Sequence, residues 1–209
     1  DVSTRIGLIG DVHASPAALQ QALALFAHER VADIYCTGDI AGYFETLSPT
    51  IELLKKYQCK TVIGNHDQAW LENHPELEHS ADYEFLNKLP HTLEFRVEGK
   101  SIFMVHAHPP DSQHGGIKLL DVDGELIPEQ KQYWQQALKE LDYDVLIVGH
   151  THQVFAEQLG KKHAEWKSTL ASLMTKPEER YANPGPAIPT GYGWVVTDGR
   201  AVPEKTEKR

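Results

Sequence analysis

The sequence predicts an α/β protein, and three observations carry that reading. Short apolar runs at residues 5–10, 31–38 and 60–64 each end in a polar residue. Between them lie two segments with apolar residues at helical spacing, each opened by a Ser-Pro pair. The resulting βαβαβ order implies a largely parallel sheet covered by helices.

Each element has a local reason. Ser15 and Pro16 supply an N-cap and a first-turn proline for a helix with Leu19, Ala22, Leu23 and Phe26 on one face. Ser48 and Pro49 open the second helix in the same way, with Ile51 and Leu54 inward. Residues 80–89 read as a short helix stopped by Pro90. Residues 91–98 and 101–105 read as two strands joined in a hairpin at Gly99 and Lys100. A polar loop over 108–124 leads to an amphipathic helix carrying Trp134, Ala137, Leu138 and Leu141. Residues 144–148 form another apolar strand that ends at Gly149 and His150. The remainder reads as β-rich at 153–160, around 181–183 and at 192–197, turning at Asp198 and Gly199 before a frayed tail. Neither a repeat nor a linker interrupts the chain, so one domain over 1–209 is expected.

Composition narrows the classes. The chain has 209 residues, 41% hydrophobic and 24% charged, which excludes disorder and collagen-like repeats. Cys36 and Cys59 are the only cysteines, too few for a disulfide scaffold, and read as free thiols of a reducing, cytoplasmic compartment. The first residues after Asp1 do not resemble a signal peptide, and no apolar run is long enough to span a bilayer, so no membrane partner is expected. A formal net charge of −10 argues against a nucleic-acid backbone as partner, because that affinity rests on Lys and Arg. No feature specifies an oligomeric state. The unusual number is 12 histidines.

Many of those histidines stand at strand ends, where sheets of this class bind ligands. The predicted tips read Asp11-Val12-His13, Gly38-Asp39, Gly64-Asn65-His66-Asp67, His106-Ala107-His108 and Gly149-His150-Thr151-His152. Any one of them has a bland explanation as turn chemistry. Five converging on one sheet edge point to a metal site. The donors are carboxylates, an amide oxygen and imidazoles with no thiolate, which suits Mn, Fe, Zn, Co or Ni and argues against a structural cysteine-zinc site. Seven candidates (Asp11, His13, Asp39, Asn65, His106, His150, His152) exceed one tetrahedral centre. They fit two metals about 3.5–4 Å apart that share a carboxylate, the arrangement that clamps a phosphoryl group.

The ordered motifs GDVH, GDIAG, GNHD, VHAH and GHTH resemble the calcineurin-like metallophosphoesterase superfamily, most of all its small bacterial and archaeal YfcE-like phosphodiesterases. Asn183-Pro184-Gly185 is similar to that group's NPGS segment. The resemblance implies a four-layer αββα sandwich, the metallo-dependent phosphatase fold. It implies that Asp11, His13, Asp39 and His152 hold one metal, and that Asp39, Asn65, His106 and His150 hold the other, with Asp39 bridging. His66 matches the residue that faces the substrate and protonates the leaving group. The implied activity is hydrolysis of a small phosphate ester, a phosphodiester favoured over a monoester, by a metal-bridging hydroxide. The implied cofactors are two divalent ions, with Mn²⁺ first in vitro and Fe, Zn, Ni or Co as alternatives. Two such ions would leave the site locally positive although the whole chain is acidic.

Three departures qualify the resemblance. Ala14 replaces a common glycine, and GDIAGY lacks the Asp-Arg pair of the protein Ser/Thr phosphatases. Asp67 is therefore a catalytic candidate as the orienter of His66, or else a local backbone cap. NPGP replaces NPGS, and about fifteen residues near 164–180 read as inserted relative to the smallest members. A non-catalytic scaffold or a metal-binding regulatory protein of the same fold is the alternative function, and a nuclease is disfavoured by the charge. His108 has three open roles: orienting a ligand, contacting substrate, or a solvated loop position. His28, His74, His79, His91, His114 and His163 read as surface or packing residues, and Trp134 as core. Tyr43, Phe44 and the 109–118 loop are candidate pocket linings.

Overall fold

A computed structural model describes residues 4–153, 155–157 and 159, together with the backbone of two strands at 167–172 and 192–197. In chain order the elements are β1 (Ile6–Gly10), α1 (Pro16–His28), β2 (Asp33–Cys36), α2 (Leu47–Lys56), β3 (Lys60–Thr61), α3 (Asn65–Asn73), a 3₁₀ turn (Pro75–Leu77), α4 (Ala81–Asn87), β4 (Thr92–Val97), β5 (Lys100–Val105), α5 (Pro128–Ala137), β6 (Val145–Ile147), β7 (Lys167–Ser172) and β8 (Tyr192–Thr197).

The strands form two sheets. The first has the order β3-β2-β1-β8-β7, the second β4-β5-β6. The expected βαβαβ unit makes the parallel part of the first sheet, with Ile6 opposite Asp33 and Ile9 opposite Cys36. β8 returns antiparallel to β1, and β7 pairs antiparallel with β8. In the second sheet the β4–β5 hairpin carries a parallel β6 beside β5.

β1 is apolar at successive positions because both of its faces are covered. Ile6 and Leu8, with Tyr35 and Val62, face Ile102, Met104 and Ile147 of the second sheet. Across that interface the rings of Tyr35 and Phe95 stack at 3.9 Å. Ile9 faces the helices, in a core with Leu19, Leu23, Phe26, Ile51, Leu54, Leu71 and Leu86. On the far face of the second sheet, buried Trp134 of α5 joins Ile117, Leu119 and half-buried Leu146 and Val148. Helices, sheet, sheet and helix make the four-layer αββα arrangement.

Several expectations are corrected. α2 begins at Leu47, before Ser48 and Pro49, which its first turn tolerates. The third strand is confined to Lys60 and Thr61, and α3 starts at Asn65. No helix was expected there. Its sequence NHDQAWLEN buries only Asp67 and Leu71, so hydrophobic periodicity gives little sign of it. In α5, Ala137 is exposed and Leu138 caps the helix, leaving Trp134 as its one buried side chain. Described residues between 153 and 159 form no strand. β7 lies inside the segment read as an insertion. The features expected at 181–183, at Asn183-Pro184-Gly185, at Asp198 and Gly199, at His163 and in the tail lie outside the described residues.

Among those residues, no helix is long and apolar enough to cross a membrane. Both cysteines are free. Burial raises both thiols, that of Cys59 to about 12.

Candidate metal centre

The five polar tips come together, but from two sheets rather than one. β1, β2 and β3 contribute from the first sheet, β5 and β6 from the second. Backbone bonds tie the tips to one another. Asp11 N donates to Gly38 O at 3.0 Å and His13 N to Asp39 O at 2.8 Å within the first sheet. Gly149 N donates to His106 O at 2.8 Å within the second. His150 N donates to Asp11 Oδ1 at 3.0 Å across the two.

Among the described residues, ten non-glycine residues have positive φ. Asp11, His13, Ala14, Asp39, Tyr43, His150 and His152 belong to these tips or the loop beside them, with φ of 49–70°. Each left-handed residue curls its tip over the sheet edge at a cost of about 1–3 kcal/mol. Strain gathered this densely marks a site that its surroundings hold in place.

Among the described residues, three donor groups result. Asp11, His13 and His152 each offer one atom within 4.8 Å of the others, as do His13, Asp39 and His66, and Asp39, His106 and His150. Asp39 sits between the halves, with Oδ2 at 4.0 Å from His13 Nε2 and Oδ1 at 3.3 Å from His106 Nε2. Asn65 Oδ1 lies 3.0 Å from His106 Nε2 and 2.9 Å from His150 Nδ1. His13 Nε2 and His152 Nε2 are 3.1 Å apart, and His152 Nε2 is 3.6 Å from Asp11 Oδ1. All seven sequence-derived ligand candidates and His66 therefore occupy one cluster.

The second nitrogens of two rings explain its orientation. His13 Nδ1 donates to Ala41 O at 3.1 Å, and His106 Nδ1 donates to Thr37 O at 2.8 Å. A carbonyl only accepts, so the hydrogen sits on Nδ1 and the Nε2 lone pair turns inward. Sequence reasoning missed Thr37 and Ala41 because they act through backbone oxygens, which leave no side-chain signature. At His106 the inward lone pair meets two acceptor oxygens, from Asn65 and Asp39. A positive charge, a proton or a cation, belongs between them. The donor set of imidazoles, carboxylates and one amide oxygen fits a divalent transition-metal ion.

Electrostatics agree with this reading. Burial pushes the Asp11 carboxyl up to about 7. Burial also pushes His13 down to about 3 and His152 to about 4, so both rings are neutral donors. For His106 burial works downward, but the hydrogen bond and charge of Asp39 outweigh it and hold the ring at about 9. For Asp39 burial works upward, and His106 and His13 reverse it, leaving the carboxyl below its usual range.

Asp67 accepts backbone hydrogens on both of its oxygens. Its Oδ1 accepts from Ala41 N at 2.8 Å and its Oδ2 from Gly64 N at 2.9 Å. It thereby clamps the loop after Asp39 to the start of α3. His66 follows from that clamp, and its own N–H donates to Asp39 Oδ1 at 2.9 Å. The ring of His66 lies edge-on to His13 at 4.8 Å. His108 packs instead against Trp134 at 5.1 Å, with Nδ1 donating to Pro109 O. His28, His79, His91 and His114 are exposed, and half-buried His74 stacks on Trp70 at 4.6 Å.

Comparison with known proteins accords with the geometry. An uncharacterized protein of Methanocaldococcus jannaschii is 29% identical over 177 residues, 74% of this chain. The chain spans 65% of that relative's length. A crystal structure of a metallophosphoesterase from Sphaerobacter thermophilus has a TM-score of 0.56 at 26% identity, over 71% of this chain and 61% of that one. A Pyrococcus horikoshii OT3 protein shares the fold, with a TM-score of 0.56 at 19% identity, over 69% of this chain and 68% of that one. The family model described as the calcineurin-like phosphoesterase superfamily domain matches residues 4–194, and on that match the chain belongs to the calcineurin-like phosphoesterase superfamily.

Proposed function

We propose that the protein hydrolyses a small phosphate ester at a centre of two divalent transition-metal ions. Asp11, His13, Asp39 and His152 would hold one ion; Asp39, Asn65, His106 and His150 would hold the other. The observation that carries this reading is the position of Asp39, whose two oxygens address His13 on one side and His106 on the other. Bound there, such ions supply Lewis acidity towards phosphoryl oxygens and a nucleophile at neutral pH. Mn²⁺ is the first choice for assay, and Fe, Zn, Ni and Co suit the same donors. The preference for a diester over a monoester comes from the likeness of the motifs to the YfcE-like phosphodiesterases.

The chain's own residues position and protonate. Thr37 and Ala41 hold His106 and His13 in the tautomers that turn Nε2 inward. Asp67 fixes the backbone from which His66 projects. His66 donates a proton to the departing alkoxide, a step worth about 10²–10⁴ in rate. His13 and Asp39 are held in one frame by the stitched strand ends, so the chain's remaining contribution is largely positioning.

The test is an assay of Mn²⁺-loaded protein on phosphomonoesters and phosphodiesters, with metal content measured alongside. Two ions per chain and faster turnover of bis-p-nitrophenyl phosphate than of p-nitrophenyl phosphate are expected. Two bound ions with no ester hydrolysed would return the protein to a metal-binding role. Failure to bind metal would remove the centre itself.

A further inference from the structure

Beside the donor cluster, the loop between Asp39 and α2 exposes two consecutive aromatic residues. Tyr43 is 57% and Phe44 42% exposed, the only neighbours in sequence among the large apolar residues that the described surface exposes. Tyr43 is also strained, with φ of 49°, where a bulky side chain is rarely found. A tight turn, Phe44 N to Gly42 O at 2.6 Å, holds it there. Its ring lies 4.2 Å from that of His13, 5.1 Å from His66 and 6.5 Å from His152. One side of the ring thus covers the imidazoles while more than half of the residue meets solvent.

The opposite lip differs in chemistry. Gly116 packs so closely on His150 that a Cβ there would approach Cδ2 to 2.8 Å, which brings the 114–118 loop over that ring. Lys118 lies on this loop, two residues after Gly116. The mouth therefore has an aromatic lip on the His66 side and a close-packed glycine loop on the His150 side. A departing alcohol within reach of His66 meets Tyr43 first.

We propose that Tyr43 is a stacking ledge for a planar aromatic ring in the departing alcohol, which makes aryl or nucleoside esters the preferred substrate class. The assignment rests on the proposed reading of the centre as a phosphoryl site. Stacking tolerates any flat ring, because every such ring presents a π-face. For the stacking contact, an aryl ester and a nucleoside ester differ in how far the ring stands from phosphorus.

The experiment is calorimetric binding of phenylphosphonate and methylphosphonate to the Mn²⁺-loaded protein, which needs no turnover. Phenylphosphonate should bind about ten-fold tighter in the wild type. Tyr43→Ala and Tyr43→Leu should reduce that ratio to about three-fold or less, whereas Tyr43→Phe should keep it. Metal content is measured in every variant, and the ratio within the wild type stands even where a variant misfolds. Adenosine monophosphate against ribose 5-phosphate, treated in the same way, separates the sources. A ratio in that pair marks nucleoside esters, and a ratio confined to the phosphonates marks aryl esters. Equal affinities within both wild-type pairs overturn the ledge, as does a Tyr43→Phe variant that behaves like Tyr43→Ala. Phosphonate binding without hydrolysis of any ester would instead overturn the proposed function and leave the ledge standing. Absence of phosphonate binding would overturn both.

Discussion

His106 Nδ1 donates to the carbonyl oxygen of Thr37 across 2.8 Å, and this one bond joins the end of β5 in the second sheet to the end of β2 in the first. It also decides which nitrogen of His106 faces Asp39. A sheet-to-sheet contact and the orientation of a metal ligand candidate are the same interaction.

That contact gives the metal-free protein a defined pH dependence. Asp39 holds His106 at about 9 against an ordinary 6.5. A base whose folded pKa is raised stabilises the fold fully below its unfolded pKa and loses that contribution as pH rises through the folded value. Of the buried groups around it, Asp11 and Asp67 titrate near 7, at the lower edge of this window, and His13 and His152 at about 3 and 4. The midpoint of thermal unfolding in EDTA should therefore fall between pH 7 and 9, the interval over which His106 loses its proton. In Mn²⁺ it should stay level, since an ion replaces that proton. A level profile in EDTA would break the pairing of His106 with Asp39.

Asp39 and Asp67 are both buried carboxylates, and their neutral variants should fail differently. Asp39→Asn keeps the shape and removes the charge shared by His13 and His106. Metal content should drop below one ion per chain, as expected where one carboxylate serves two sites. Asp67→Asn instead turns an amide N–H towards Ala41 N or Gly64 N. It should cost about 1–3 kcal/mol of stability in denaturant titration and leave the metal content in place. The reverse pattern would exchange the two roles.

The same contrast explains what was legible in the sequence. The five tips could be read because their donor residue types cluster at strand ends, and α1 because Ser15, Pro16 and an apolar face coincide. α3 escaped because its start is set by Asp67 accepting from Gly64 N rather than by periodicity. β7 escaped because it is a strand only through its pairing with β8, some twenty residues further on. That the tips come from two sheets was likewise invisible in the alternation of elements, since the cross-sheet bonds of Thr37 and Asp11 bridge distant parts of the chain.

Two glycines of the site can be told apart by substitution. A Cβ on Gly64 would collide with Asp39 Oδ1, so Gly64→Ala should lose metal as Asp39→Asn does. A Cβ on Gly42, at φ of 102°, would stand 2.6 Å from His66 Nδ1 and 3.0 Å from His13 Nδ1. Gly42→Ala should therefore lower turnover more than metal content. Ala14 makes the comparison sharper. It adopts φ of 55° where related motifs carry glycine, and its methyl group is buried in the helix-side core. Relief of left-handed strain and loss of packing oppose each other, so Ala14→Gly should change stability by about 1 kcal/mol or less. A larger loss, read in denaturant titration, would show that the methyl group dominates.

His66 is the residue whose role the geometry divides most finely. It stands in a donor triad with His13 and Asp39, and its ring also contacts Tyr43 at the solvent side. As a general acid it should matter in proportion to how much the departing alkoxide needs a proton. His66→Ala should then lower kcat by about 10²–10⁴ on an ester of an alkyl alcohol, and far less on a p-nitrophenyl ester whose phenolate leaves unprotonated. As a metal ligand it should lower both rates alike and reduce the bound metal. Rates on the two esters, taken with metal content from the same preparation, separate the roles. Equal losses with a missing ion would move His66 from acid to ligand, and equal rates with full metal would leave the leaving group to be protonated by solvent.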